Sequence, residues 1–162
     1  NAPVPTATDI SIDIIMIEGS TQASEKFTVF IYGTLLKGQL RESVLASENF
    51  IGPVQTAPMY KMYHIDLGGE CGYPALIESP EDGYSATGEL YEISWNKLRE
   101  LDQIEGEPWL YNRKPIQLQE SEEQQVISYI YQKDISGRTE ISGCWRTFVQ
   151  ETYPGIEFQD EF

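Results

Sequence analysis

Apolar positions along this chain recur mostly at period two or in short unbroken runs. Ile10, Ile12, Ile14 and Met16 fall on one face of ISIDIIM, which predicts a half-buried strand. Residues 27–32 are apolar on both faces apart from Thr28, the pattern of a central strand. Strand-like material fills residues 50–65, interrupted by Pro53 and Pro58. Shorter strands are predicted at residues 74–78 and 83–93, and two longer ones at 114–119 and 125–132, with SEEQQ as the turn region between them.

One segment changes period. Trp95, Leu98, Leu101 and Ile104 recur at threes, Ser94 precedes them as an N-cap, and Gly106 and Pro108 follow as stop signals. These residues predict an amphipathic helix ending near Glu105. Residues 40–48 can form a short helix around Val44 and Leu45, and residues 144–153 are helical or irregular. NAPVPTATD reads as a loose arm, and DLGGECGYP and ISGRTEISG read as loops. The sum is strand-rich with two or three short helices, without the alternation of a doubly wound sheet. The expected fold is mixed α/β (α+β): a small barrel-like mixed sheet with short flanking helices. Residues 26–162 are expected to form a single domain, with residues 1–25 an N-terminal extension able to add an edge strand.

Composition narrows the chemistry. The chain has 162 residues, 40% hydrophobic and 12% aromatic, enough for a core without metal or disulfide staples. A net charge of −15 argues against nucleic acid and anionic membranes as partners. No apolar stretch approaches the ~20 residues of a membrane span, and no basic leader is visible, so a cytoplasmic location is expected. Cys71, Cys144 and His64 are too few for a four-ligand Cys/His zinc site, so no metal is expected, and free thiols are favoured over a disulfide. Nothing in the pattern specifies an oligomeric state.

Two features stand out as candidate chemistry. In Tyr32-Gly33-Thr34-Leu35 a glycine follows an apolar strand. Glycine permits positive φ or close approach to the main chain, and successive N–H groups in such a turn can converge on a carboxylate. The plain alternative is an ordinary turn. Glu105 lies at a helix C-terminus, where burial and the helix dipole both raise a carboxyl pKa toward the range of a general base. The alternative is a solvated helix end in a chain with 26 acidic residues.

Other residues support either of two readings. GYPAL (residues 72–76) faces a ligand or simply enters a strand. The Tyr111 phenol can hydrogen-bond a ligand, while Arg113 binds a carboxylate or pairs with a surface acid. Trp95 and Trp109 are expected to pack, and His64 to be a core or strand histidine. No Gly-x-Ser-x-Gly elbow is present.

Taken in order, VFIYGTLLKG, GYPAL, GELYEIS, LRELDQIEG and YNR, with SGCWRTF near the end, resemble the γ-glutamylcyclotransferase-like family over roughly residues 26–149. The resemblance is to the branch that holds γ-glutamylamine cyclotransferase and the AIG2-like proteins. It implies a cavity between the Tyr32-Gly33-Thr34-Leu35 turn and the end of the helix before Gly106. It further implies main-chain binding of a γ-glutamyl group by that turn, with Glu105 as the acid–base residue and no cofactor. The reaction implied is intramolecular attack of an α-amine on the γ-carbonyl, giving 5-oxoproline and a free amine. Many relatives carry Asn a few residues beyond this turn, around the position of Arg41, where this chain reads GQLRES, at the edge of the pocket.

Three further readings use the same residues. One is a non-catalytic γ-glutamyl-binding module. Another is a biosynthetic enzyme that removes a γ-glutamyl protecting group. The third is a two-carboxylate hydrolase pairing Glu105 with Glu107 or Asp102.

Overall fold

The apolar run at residues 27–32 becomes β1 (Lys26–Ile31), and its burial on both faces follows from its place at the centre of a five-stranded sheet. The computed structural model describes residues 25–39, 41–67, 70–120 and 125–155. The strand predicted at residues 10–16 and the arm before it lie outside the described residues. After β1 come β2 (Asn49–Gln55), β3 (Tyr60–Ile65), β4 (Tyr73–Glu78) and β5 (Thr87–Ser94). Then follow α1 (Trp95–Ile104), β6 (Tyr111–Ile116), β7 (Val126–Tyr131), β8 (Thr139–Ile141) and α2 (Trp145–Thr152).

The larger sheet has the order β2-β5-β1-β7-β6 and the smaller one β4-β3-β8. β1 runs parallel to β7, and the other described pairings are antiparallel. The two ladders do not close into a barrel; the mixed-sheet expectation holds without closure. Pro53, Pro74 and Pro115 sit in β2, β4 and β6, all edge strands, where a missing N–H costs least. Side chains from both sheets and both helices meet in one core that includes Phe30, Met62, Leu76, Ile93, Leu98 and Trp145.

Several boundaries differ from the sequence reading. The helix expected at residues 40–48 is a single 3-10 turn, Glu42–Leu45. The strand expected at 114–119 spans Tyr111–Ile116 instead, starting three residues earlier where Tyr111 pairs with Tyr131 of β7. The loop ISGRTEISG contains β8, which exists through its pairing with β3 (Met62 opposite Ile141).

Helix α1 forms as its local chemistry dictates. Ser94 ends β5 and caps the helix, its Oγ accepting from the Lys97 N–H at 3.1 Å. Leu98 and Leu101 are fully buried. At the far end the Gly106 N–H donates to the Gln103 carbonyl and the Glu107 N–H to the Asp102 carbonyl, with Gly106 at φ +63°. This is the Schellman arrangement, and it makes Glu105 the C-cap residue.

Candidate active site

A cavity of about 260 Å³ lies where the end of β1, the start of β4, the end of α1 and strands β6 and β7 meet. Tyr32, Gly33, Thr34 and Leu35 form one wall, and Glu105 with Ile104 and Leu110 forms another. Gly72, Tyr73, Pro74, Tyr111 and Tyr129 contribute the remainder, with Arg41 also lining the space. Every residue proposed from sequence as catalytic or substrate-binding (Glu105, Tyr32, Gly33, Thr34, Leu35 and Tyr111) therefore borders the same cavity.

The turn after β1 presents free donors. The Gly33 carbonyl accepts from the Leu36 N–H at 3.0 Å, and the Thr34 carbonyl accepts from the Arg41 N–H at 2.7 Å. The N–H groups of Gly33, Thr34 and Leu35 have no acceptor among the described residues. Two carboxylates fix the chain just beyond. Glu89 accepts from the Lys37 N–H at 3.0 Å and Glu42 from the Gly38 N–H at 2.9 Å. Glu89 is itself almost fully buried on β5, and its other oxygen accepts from Arg146 of α2 at 3.1 Å.

Gly33 does not adopt positive φ. Its role is close approach: a Cβ there would lie 2.6 Å from Cγ of Pro74. GYPAL thus both enters β4 and lines the cavity. Gly72 at its start does hold positive φ, +69°, and a Cβ would strike the Ile65 carbonyl.

Phenols knit the walls together. Tyr111 donates to the Pro74 carbonyl at 2.5 Å, and Tyr32 to the Tyr129 carbonyl at 2.6 Å. The Tyr129 hydroxyl donates to Asp102 of α1 at 2.7 Å. Burial raises the pKa of all three tyrosines, so each phenol is neutral at physiological pH.

Glu105 has a different environment. Burial pushes its carboxyl pKa up to about 7, against the opposing pull of the Arg41 charge. No hydrogen-bond donor among the described residues reaches this carboxyl group. Asp102 and Glu107, the neighbours considered for a two-carboxylate site, are not in the cavity wall. Asp102 is held by Tyr129 and by Arg113 at 3.5 Å, and Glu107 accepts from the Arg113 N–H at 3.3 Å. Arg113 is thereby an ion-pair residue outside the cavity wall.

His64 bonds the Cys71 carbonyl at 2.9 Å and packs among Trp145, Phe148 and Tyr153, a structural role. Cys71 and Cys144 are free thiols. Trp95 packs on Phe27, whereas Trp109 is 76% exposed in the turn that leaves α1 and does not pack as expected. Among the described residues no three His, Cys, Asp or Glu side chains cluster as a metal site, and no helix is long and apolar enough to cross a membrane. The sequence placed Tyr73 within GYPAL as a segment that could face a ligand, but did not single out Tyr129. The alternation in VISYIY was the available signal for Tyr129, since Tyr129 and Tyr131 share a face.

The family model described as "Gamma-glutamyl cyclotransferase, AIG2-like" matches residues 29–147. Among curated relatives, the gamma-glutamylaminecyclotransferase of Rattus norvegicus is 33% identical over 95 residues, covering 56% of this chain and 62% of that protein. Gamma-glutamylaminecyclotransferase B of Danio rerio is 36% identical over 96 residues, covering 56% of this chain and 49% of that one. The match therefore spans less than two thirds of these relatives' length.

The solved structure of an AIG2-like protein from Mus musculus superposes with a TM-score of 0.62 at 26% identity, over 85% of this chain and 97% of that one. A uropathogenic E. coli-specific protein superposes with a TM-score of 0.66 over 80% of this chain and 99% of that one, and at 19% identity shows the fold alone. The family match covers most of the chain, including the turn after β1 and the capped end of α1, and the chain belongs to the AIG2-like gamma-glutamyl cyclotransferase family.

Proposed function

We propose that this protein converts a γ-glutamyl amine or γ-glutamyl amino acid to 5-oxoproline and the free amine. The carrying observation is that a carboxyl group with a pKa near 7 and three free main-chain donors border one small cavity. The N–H groups of Gly33, Thr34 and Leu35 hold the substrate α-carboxylate. The α-ammonium then lies against Glu105, which takes its proton. The freed amine attacks the γ-carbonyl carbon, forming the ring C–N bond. The tetrahedral intermediate collapses as the original C–N bond breaks; Glu105 gives its proton to the departing nitrogen and takes the surplus proton of the ring nitrogen, which then passes to the released amine.

The energetics suit this assignment. An ordinary Glu is about four pKa units more acidic than an α-amine near ~8, so the proton transfer costs roughly 5 kcal/mol. With Glu105 near 7 the gap shrinks to about one unit, on the order of 1–2 kcal/mol. Orientation supplies the rest: a bent substrate reacts intramolecularly, where effective molarities on the order of 10⁵ M are available. Neither a protein nucleophile nor a cofactor enters these steps.

The test is a panel of γ-glutamyl compounds assayed for 5-oxoproline with the full chain and with Glu105→Gln. Ring product from the full chain, and its loss in a folded Glu105→Gln variant, supports the reading. Tight binding of γ-glutamyl compounds without ring product would instead identify a binding module.

A further inference from the structure

Among the described residues, Glu105 and Arg41 are the two charged side chains that line the cavity. Arg41 is the one basic side chain that lines this cavity among the described residues. Lys61, Lys97, Arg113, Lys114, Arg138 and Arg146 are each paired with a carboxylate. In a chain of net charge −15, the Arg41 guanidinium has neither an ion-pair nor a hydrogen-bond partner among the described residues. Its backbone is nonetheless fixed. The Arg41 N–H donates to the Thr34 carbonyl at 2.7 Å, and its carbonyl accepts from the Val44 N–H at 3.1 Å. A solvent-exposed side chain on an anchored backbone thus stands at the cavity rim, joined directly to the turn that binds the common part of the substrate.

Resting on the function proposed above, we infer that Arg41 is a specificity residue that selects γ-glutamyl compounds whose leaving amine bears a carboxylate. The γ-glutamyl portion is the same in every substrate and occupies the enclosed end, between the buried Tyr32, Leu35 and Tyr111. The leaving amine must project toward the open rim. A guanidinium there offers paired N–H donors matched to a carboxylate on the departing amine. An amine with a terminal cation would meet like charge instead. The acidic surface as a whole opposes an anionic group, but those charges are screened over about 8 Å while the rim contact is direct.

The probes are γ-glutamylglycine and γ-glutamylglycinamide, which differ only by the leaving-group carboxylate. The readout is the ratio of their kcat/KM values for 5-oxoproline release. The full chain is expected to favour γ-glutamylglycine by about tenfold or more, in keeping with one charge-assisted contact. In Arg41→Gln the ratio is expected to fall to near one, and Arg41→Lys to lie between.

A ratio near one in the full chain overturns the inference while leaving cyclisation intact. So does a high ratio that survives Arg41→Gln. Equal loss on both compounds, with the ratio unchanged, would place Arg41 on the α-carboxylate and also overturn it. Absence of 5-oxoproline from both compounds defeats the underlying function, and this inference with it.

Discussion

Gly33 and Pro74 touch across the cavity wall so closely that any side chain at 33 must displace the proline ring: a Cβ would stand 2.6 Å from its Cγ and 2.9 Å from its Cδ. The two residues belong to different sheets, since Gly33 follows β1 and Pro74 lies in β4. The contact therefore sets the spacing between the donor turn and the opposite wall. Gly33→Ala is expected to cost about 1–3 kcal/mol by overpacking, and to raise KM for γ-glutamyl compounds more than it lowers kcat. Chemical denaturation alongside steady-state kinetics checks both parts.

Glu105→Gln removes the titrating group and keeps the side chain's size. Turnover is expected to fall by ~10²–10⁴. In the full chain kcat should rise with pH along a limb centred near 7, where Glu105 ionises, and that limb should be missing from the residual rate of the variant. A pH–rate series on both proteins provides the comparison.

The same residue links stability to pH. Its folded pKa of about 7 lies above the unfolded value of ~4.3, so the folded state holds a proton that the unfolded state has released. The stability contributed by that proton is complete below the unfolded value and is lost as pH rises through about 7. Gln mimics the protonated form. Glu105→Gln is therefore expected to match the parent near pH 4 and to exceed it by about 1–3 kcal/mol at pH 8. Urea titrations at the two pH values read the difference.

Glu89 and Arg146 form a largely buried pair that also secures Lys37, two residues past the donor turn. Glu89→Leu leaves a guanidinium without this carboxylate and frees the Lys37 N–H, at an expected cost of about 2–4 kcal/mol. Glu89→Leu combined with Arg146→Leu is expected to recover part of that loss, because no charge is then stranded. A double-mutant cycle by denaturation measures the coupling.

Tyr111→Phe deletes the bond to the Pro74 carbonyl and leaves that acceptor unmet in a buried setting. The expected loss is about 1–3 kcal/mol, with a rise in KM as the cavity wall loosens.

What was legible in the sequence followed local chemistry. Helix α1 falls within a residue of its expected limits because Ser94 and Gly106 mark its ends through hydrogen bonds to nearby backbone. β1 was similarly clear, since only a central strand buries both faces. The errors lie where distant pairing decides. β8 is a strand only because β3 lies beside it, and β6 begins early because Tyr111 pairs with Tyr131 of β7. The sequence marked Gly33 as a turn glycine, but not its close approach to Pro74, because that proline lies some forty positions away. Arg41 showed in the sequence as a departure from the family pattern. That it stands unpaired at the cavity rim depends on how the chain folds back over the turn.

The prolines of the outer strands have a consequence for life in a crowded cell. Among the described residues, three of the four sheet borders carry a residue that cannot donate to an incoming strand, and the fourth, β8, is only three residues long. An unfolded neighbour thus finds little template on which to extend either ladder. Recruitment of another polypeptide by backbone addition is discouraged on these four borders.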